Sequence, residues 1–201
     1  LSNLIGKNRI IWRYDPILLN ERYTIKFHLQ MFEKMCQLLY KYTNTVIISF
    51  LDIYKNIFNK FNELSDEDVY LLADNLDRIA KKYHLEIKTC SEKYHLEQYG
   101  IKKGSCLEKS YIEDIIGYPL DIKTNQNRTN CSCLASIDIG AYSCCNHGCL
   151  YCYACNHQLV AKNMANHDEN SEMLLGYLTD HDKVIKRNVF SNKEKQLKFD
   201  F

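Results

Sequence analysis

Residues 145 to 152 run Cys-Asn-His-Gly-Cys-Leu-Tyr-Cys, a C-x-x-x-C-x-x-C pattern with an aromatic residue just before its last cysteine. A compact loop of this kind can present three thiolates, from Cys145, Cys149 and Cys152, to three irons of a four-iron, four-sulfide (4Fe-4S) cubane. The fourth iron then has no cysteine and stays open to another ligand. Gly148 lets the backbone turn tightly beside the cluster, where a Cβ would hinder it. The same thiols allow two other chemistries. With Cys155 or His157 as a fourth ligand they would form a closed tetrahedral zinc site. Common zinc sites repeat a two-residue gap twice, whereas here a gap of three precedes a gap of two. A fully ligated cluster would instead make the chain an electron carrier or sensor without substrate chemistry.

The chain has 201 residues and ten cysteines, and their placement decides how to read that count. Cys36 stands alone, Cys90 and Cys106 are spaced out, and the other seven crowd between Cys131 and Cys155. Disulfides do not need thiols bunched three and four apart, and no secretion signal precedes them, so bunched thiols in a reducing compartment suggest metal. Cys131 and Cys133 form a Cys-x-Cys pair. With Cys90 and Cys106 they make a four-ligand set for a second iron–sulfur cluster or for structural zinc. Cys144 and Cys155 border the main loop as spare thiols or substitute ligands. His147, between two cluster cysteines, shapes the loop in the plainest reading, with metal ligand or proton donor as alternatives.

These residues need elements to position them. Arg9 to Tyr14 reads as a short buried strand, closed by Asp15-Pro16. From about Glu21 to Tyr42, Ile25, Leu29, Phe32, Cys36 and Leu39 recur at three- and four-residue intervals and mark one helical face, which makes Cys36 a small core residue. Thr45 to Phe50 is a β-branched run suited to a strand covered on both faces. Ser65 caps an acidic first turn, and Val69, Leu72, Leu76 and Ile79 continue a helical stripe to near His84. Leu85 to Thr89 predicts a third strand and Ala135 to Ile139 a fourth. Strands alternating with helices predict a parallel α/β fold. In such folds chemistry collects at the carboxyl ends of the strands, where Arg13, Asp15, Asp52 and Asp138 are candidate pocket residues. The plain alternative for Arg13 and Asp15 is that they pair with each other.

Domain organisation follows from the same pattern: an α/β portion over 1–130, a cysteine-rich cluster segment of the same domain over 131–160, and a tail or closing helix over 161–201. Leu1 and the strand-like run soon after it read as the later part of a longer chain. Lys plus Arg number 26 against 25 Asp plus Glu, so no overall field draws the protein to nucleic acid or anionic lipid. No apolar run reaches the roughly 20 residues of a membrane span, and a cytoplasmic location is the default expectation. The fifteen tyrosines are explained by core and boundary positions rather than by radical relay or base stacking.

The spacing of Cys145, Cys149 and Cys152, together with Tyr151, resembles the signature of radical S-adenosylmethionine (SAM) enzymes. The resemblance implies that the open iron binds the amino and carboxylate groups of SAM, that Tyr151 lies near the adenine, and that an electron donor such as a flavodoxin or ferredoxin serves the cluster. It also implies a partial or permuted TIM-barrel-like fold, because the cysteine loop here follows at least three strands instead of the first. A closer likeness covers most of the chain. Trp-Arg-Tyr-Asp-Pro at 12–16, Ser-Phe-Leu-Asp at 49–52 and Cys-x-Cys-x-x-Ser-x-Asp-Ile-Gly-Ala-Tyr from Cys131 to Tyr142 resemble the bacterial domain-of-unknown-function family 1848. Its members carry radical SAM-like cysteines near the C-terminus and are similar to this chain through Asn166-His167-Asp168. They have, as a rule, a further N-terminal segment.

Overall fold

A computed structural model describes residues 1–54, 57, 60–124 and 131–194. After a single helical turn α1 (Ser2–Ile5), the chain enters β1 (Ile11–Ile17), α2 (Ile25–Leu39), β2 (Thr45–Phe50), α3 (Asp66–Lys82) and β3 (Glu86–Cys90). A 3₁₀ turn at Glu97–Tyr99 leads to β4 (Lys102–Gly104), followed by α4 (Lys109–Ile116) and α5 (His157–Ala165). Two compact units result. One comprises Leu1–Ile53, Asn62–Ala135 and Asn192–Phe201, the other Tyr54–Phe61 and Ser136–Ser191.

In the first unit the four strands are all parallel and lie in the order β1-β2-β3-β4. Parallel neighbours need a crossover, and α2 and α3 supply the first two. Each step moves one strand further in the same direction, so the order never reverses. Among the described residues β1 and β4 end the sheet, and closure into a barrel is not seen.

The sheet has two chemically different faces because side chains alternate along each strand. Val46, Ile48, Phe50 and Ile87 belong to the core shared with Phe32 and Cys36 of α2 and with Val69, Leu72 and Leu76 of α3. Trp12 and Tyr14 pack against it from β1, Trp12 stacked on Phe32 at 5.1 Å and Tyr14 edge-on to the same ring at 5.2 Å. Arg13, Ile47, Lys88 and Lys102 sit side by side in register between these rows and therefore face the other way. Two residues further along the strands, Asp15, Ser49 and Cys90 share that second face.

Local sequence explains most of these elements. Ser65 accepts the Asp68 amide at 3.1 Å, and Asp66, Glu67 and Asp68 complement the helix dipole at the start of α3. Thr24 caps α2 in the same way, which starts that helix at Ile25, the first residue of the apolar stripe, rather than near Glu21. Two departures have physical causes. β1 runs through Pro16 to Ile17, because an edge strand has a free side where a missing N–H costs nothing; its pairing with β2 is irregular between Tyr14 and Ile17.

The fourth strand is Lys102–Gly104, not Ala135–Ile139. The expected strand forms no ladder there beyond the Ala135 amide on the Lys123 carbonyl at 2.9 Å, and Ile137 and Ile139 stand 59% and 87% exposed. The last helix is α5, which begins before residue 161, and no helix follows among the described residues up to 194. No described helix is long and apolar enough to cross a membrane.

Candidate metal centre

The carboxyl edge of the parallel sheet gathers sulfur. Cys90 ends β3 on the face away from the helices, directly opposite Gly104 at the end of β4. A Cβ on Gly104 would lie 2.9 Å from Cβ of Lys88, so glycine is what lets β4 approach this closely. Two residues on, Cys106 brings its sulfur to 2.7 Å from that of Cys90. Cys133 arrives from the returning segment, which the Leu134 amide pins to the Leu107 carbonyl at 3.0 Å. The sulfurs of Cys90, Cys106 and Cys133 all lie within 4.8 Å of one another, a group that could hold a metal ion. Cys131 lies two residues before Cys133 and outside that group.

Charge at this cluster is organised by Arg13. Its guanidinium donates to the Cys106 sulfur at 2.9 Å and pairs with Asp15 at 2.6 Å. The hydrogen bond from Cys90 holds the Cys106 thiol well below its ordinary value, with the Arg13 charge acting the same way against the upward push of burial. Cys90 is correspondingly pushed up. The Arg13 guanidinium thus favours negative charge on Cys106. Burial raises Cys133, while the backbone amides of Leu107 and Cys106 stabilise its thiolate.

The second unit carries the C-x-x-x-C-x-x-C loop as a closed hairpin of chain. Buried Ser143 stands at its neck. The Ser143 amide donates to the Ala154 carbonyl at 2.9 Å, and the Asn156 amide donates to Ser143 Oγ at 3.0 Å. From α5, the Asn163 amide group reaches the carbonyls of Tyr142 and Ser143 at 3.3 and 3.2 Å. Inside the loop Gly148 adopts φ 68°, and the Cys152 amide closes a turn on the Cys149 carbonyl at 3.1 Å.

The loop thiols share one region. Burial lifts the Cys155 thiol, and the charges of Cys152, Cys145, Cys149 and Cys144 lift it further. Cys145 is exposed, Cys149 and Cys152 half-buried, and they do not draw together as tightly as the trio on the sheet edge. A cavity of about 630 Å³ adjoins them, lined by Tyr142, Leu150, Cys152, Tyr153, Cys155 and His157 among others. Tyr153 and His157 lie on that wall; Tyr151 is half-buried elsewhere in the loop.

A model of the family described as Domain of unknown function (DUF1848) matches residues 1–154, which include both groups of cysteines. The chain belongs to this family. No curated protein and no solved structure matches it. The DUF1848 match spans the sheet, the sheet-edge thiols and the loop through Cys152, and ends just short of α5.

The other predicted pocket residues are spread out. Asp52 is exposed after β2, beside buried Glu92, which accepts the amides of Phe50 and Lys93 at 3.0 and 2.9 Å and so joins the ends of β2 and β3. Asp138 is exposed and accepts the Gly140 amide at 2.8 Å. Sequence reasoning missed the Ser143 neck and the Arg13 contact with Cys106. Asn156 ahead of an apolar helical run was a legible cap signal for the first. The second joins residues 93 apart and had no local signal.

Proposed function

We propose that this DUF1848 chain is an iron–sulfur enzyme of the radical SAM type, with a 4Fe-4S cluster on Cys145, Cys149 and Cys152. The observation that carries the reading is three thiols spaced C-x-x-x-C-x-x-C on a loop closed at its neck, beside a cavity of about 630 Å³. The donor set fits the group. Each thiolate of a cubane sits on its own iron, which suits three cysteines set apart along one loop rather than clustered about a point.

The chain's own residues divide the work. Ser143, Asn156 and Asn163 hold the two ends of the loop together, so ordering its thiols costs less on binding. Gly148 supplies the left-handed turn between Cys145 and Cys149. The cavity falls within the roughly 300–1,000 Å³ of small-molecule sites. Its wall offers the aromatic face of Tyr153, which rests on Tyr54 at 5.4 Å, and the polar groups of His157 and Gln158. These groups suit a ligand with a planar ring and a charged end, as SAM has, and Tyr151 and Tyr153 are the two candidates for the adenine side. When bound and reduced, the cluster supplies the electron that splits SAM into methionine and a 5′-deoxyadenosyl radical.

A flavodoxin- or ferredoxin-type donor in a reducing cytoplasm would serve this chemistry. The substrate is a separate question that the cavity bounds by size alone. Incubation of the reconstituted chain with SAM and dithionite is expected to release 5′-deoxyadenosine, and Cys149→Ala is expected to abolish the release. Release that persists in Cys149→Ala, or none from a chain with a full complement of iron, would reject the assignment.

A further inference from the structure

We propose that Cys90, Cys106, Cys133 and Cys131 bind one tetrahedral zinc ion, a site different in kind from a cluster. The argument begins with spacing. Zinc–sulfur bonds of about 2.3 Å in a tetrahedron place the sulfurs about 3.8 Å apart. Three sulfurs already within 4.8 Å of one another meet that requirement with shifts of an ångström or so. A cubane would have to force the same thiols outward onto separate irons. The fourth ligand is at hand in the chain, because Cys131 lies two residues before Cys133 in a Cys-x-Cys pair.

The surroundings are those of a thiolate–metal site. Arg13 donates to Cys106 from across the sheet, where it offsets the negative charge of a four-thiolate site and orients one ligand. All-sulfur ligation selects zinc or iron over magnesium and calcium. The ion would join the ends of β3 and β4 to the segment returning at Cys131–Leu134, three pieces of chain otherwise tied there by the Leu134–Leu107 hydrogen bond and the isolated Thr124–Leu134 bridge. Its role is therefore to hold the carboxyl edge of the sheet in shape, and binding energy becomes folding energy.

The test uses the whole chain with Cys145, Cys149 and Cys152 all replaced by Ala, purified without oxygen, so it is independent of the iron–sulfur reading. Metal analysis should find one zinc per chain. Cobalt titration should give the thiolate-to-metal absorption of a tetrahedral site. On this background Cys106→Ser and Cys133→Ser should each remove the zinc, and Arg13→Gln should weaken it by about 10–100-fold, the range for groups that orient a ligand. If the Ser variants do not fold, cobalt titration of the background chain still decides. Absence of bound metal, a Cys90–Cys106 disulfide in its place, or an iron–sulfur chromophore that disappears with Cys106→Ser would overturn the proposal.

Discussion

His28 is 6% exposed and spans two partners. Its Nε2 lies 2.8 Å from the Leu18 carbonyl, which can only accept, so Nε2 carries the proton and Nδ1 takes the Tyr14 hydroxyl at 2.9 Å. Burial lowers its pKa below the ordinary value of about 6.5. A histidine with a lowered folded-state pKa gives stability that is complete above the unfolded value and is lost as pH falls toward the folded one. The gap in urea midpoint between the parent chain and His28→Gln is thus expected to narrow from pH 7 to pH 5. A constant or widening gap would contradict the assignment. Cys36 makes the opposite point about a thiol. It is wholly buried in the helix-side core and its pKa is pushed up to about 12, so it is a packing residue that takes no part in metal chemistry.

At the scale of elements, the neck of the cysteine loop depends on one side chain. Ser143 adopts φ 59°, is buried, and accepts the Asn156 amide through Oγ. Ser143→Ala removes that acceptor, and the loss of one such hydrogen bond costs about 0.5–1.5 kcal/mol. Iron retained after reconstitution is expected to fall in Ser143→Ala while the stability of the parallel sheet, followed by hydrogen exchange of β2, is unchanged. Undiminished iron content would mean that the neck does not preorganise the loop.

Legibility from sequence also differs by element. β2 was predicted to its exact ends, because a continuous β-branched run buried on both faces has few other solutions. β4 was not, because Lys-Lys-Gly has little strand preference and becomes a strand only by pairing with β3. The stretch Ala135–Ile139 carries strand-like alternation yet forms no strand, its backbone paired across only at Ala135 with Lys123, a case of pattern with little tertiary support.

Across the whole molecule, nine of the ten cysteines are half-buried or exposed and only Cys36 is buried. That distribution fits thiols kept for ligation rather than for packing. The sequence named the sheet-edge thiols as a set but could not distinguish a second cluster from one ion, since the choice depends on distances that the fold creates between residues 16 and 27 positions apart. The loop cysteines stand out by spacing alone because all three lie on one short segment. With a net charge of +1, the chain offers no general field for a polyanion. The most direct measurement is anaerobic reconstitution of the chain with iron and sulfide, followed by electron paramagnetic resonance of the reduced protein with and without SAM. A four-iron signal that shifts when SAM is added, and is lost in Cys149→Ala, is the predicted result. Zinc held tightly by the 145–152 loop, or a cluster whose signal ignores SAM, would contradict the radical SAM assignment.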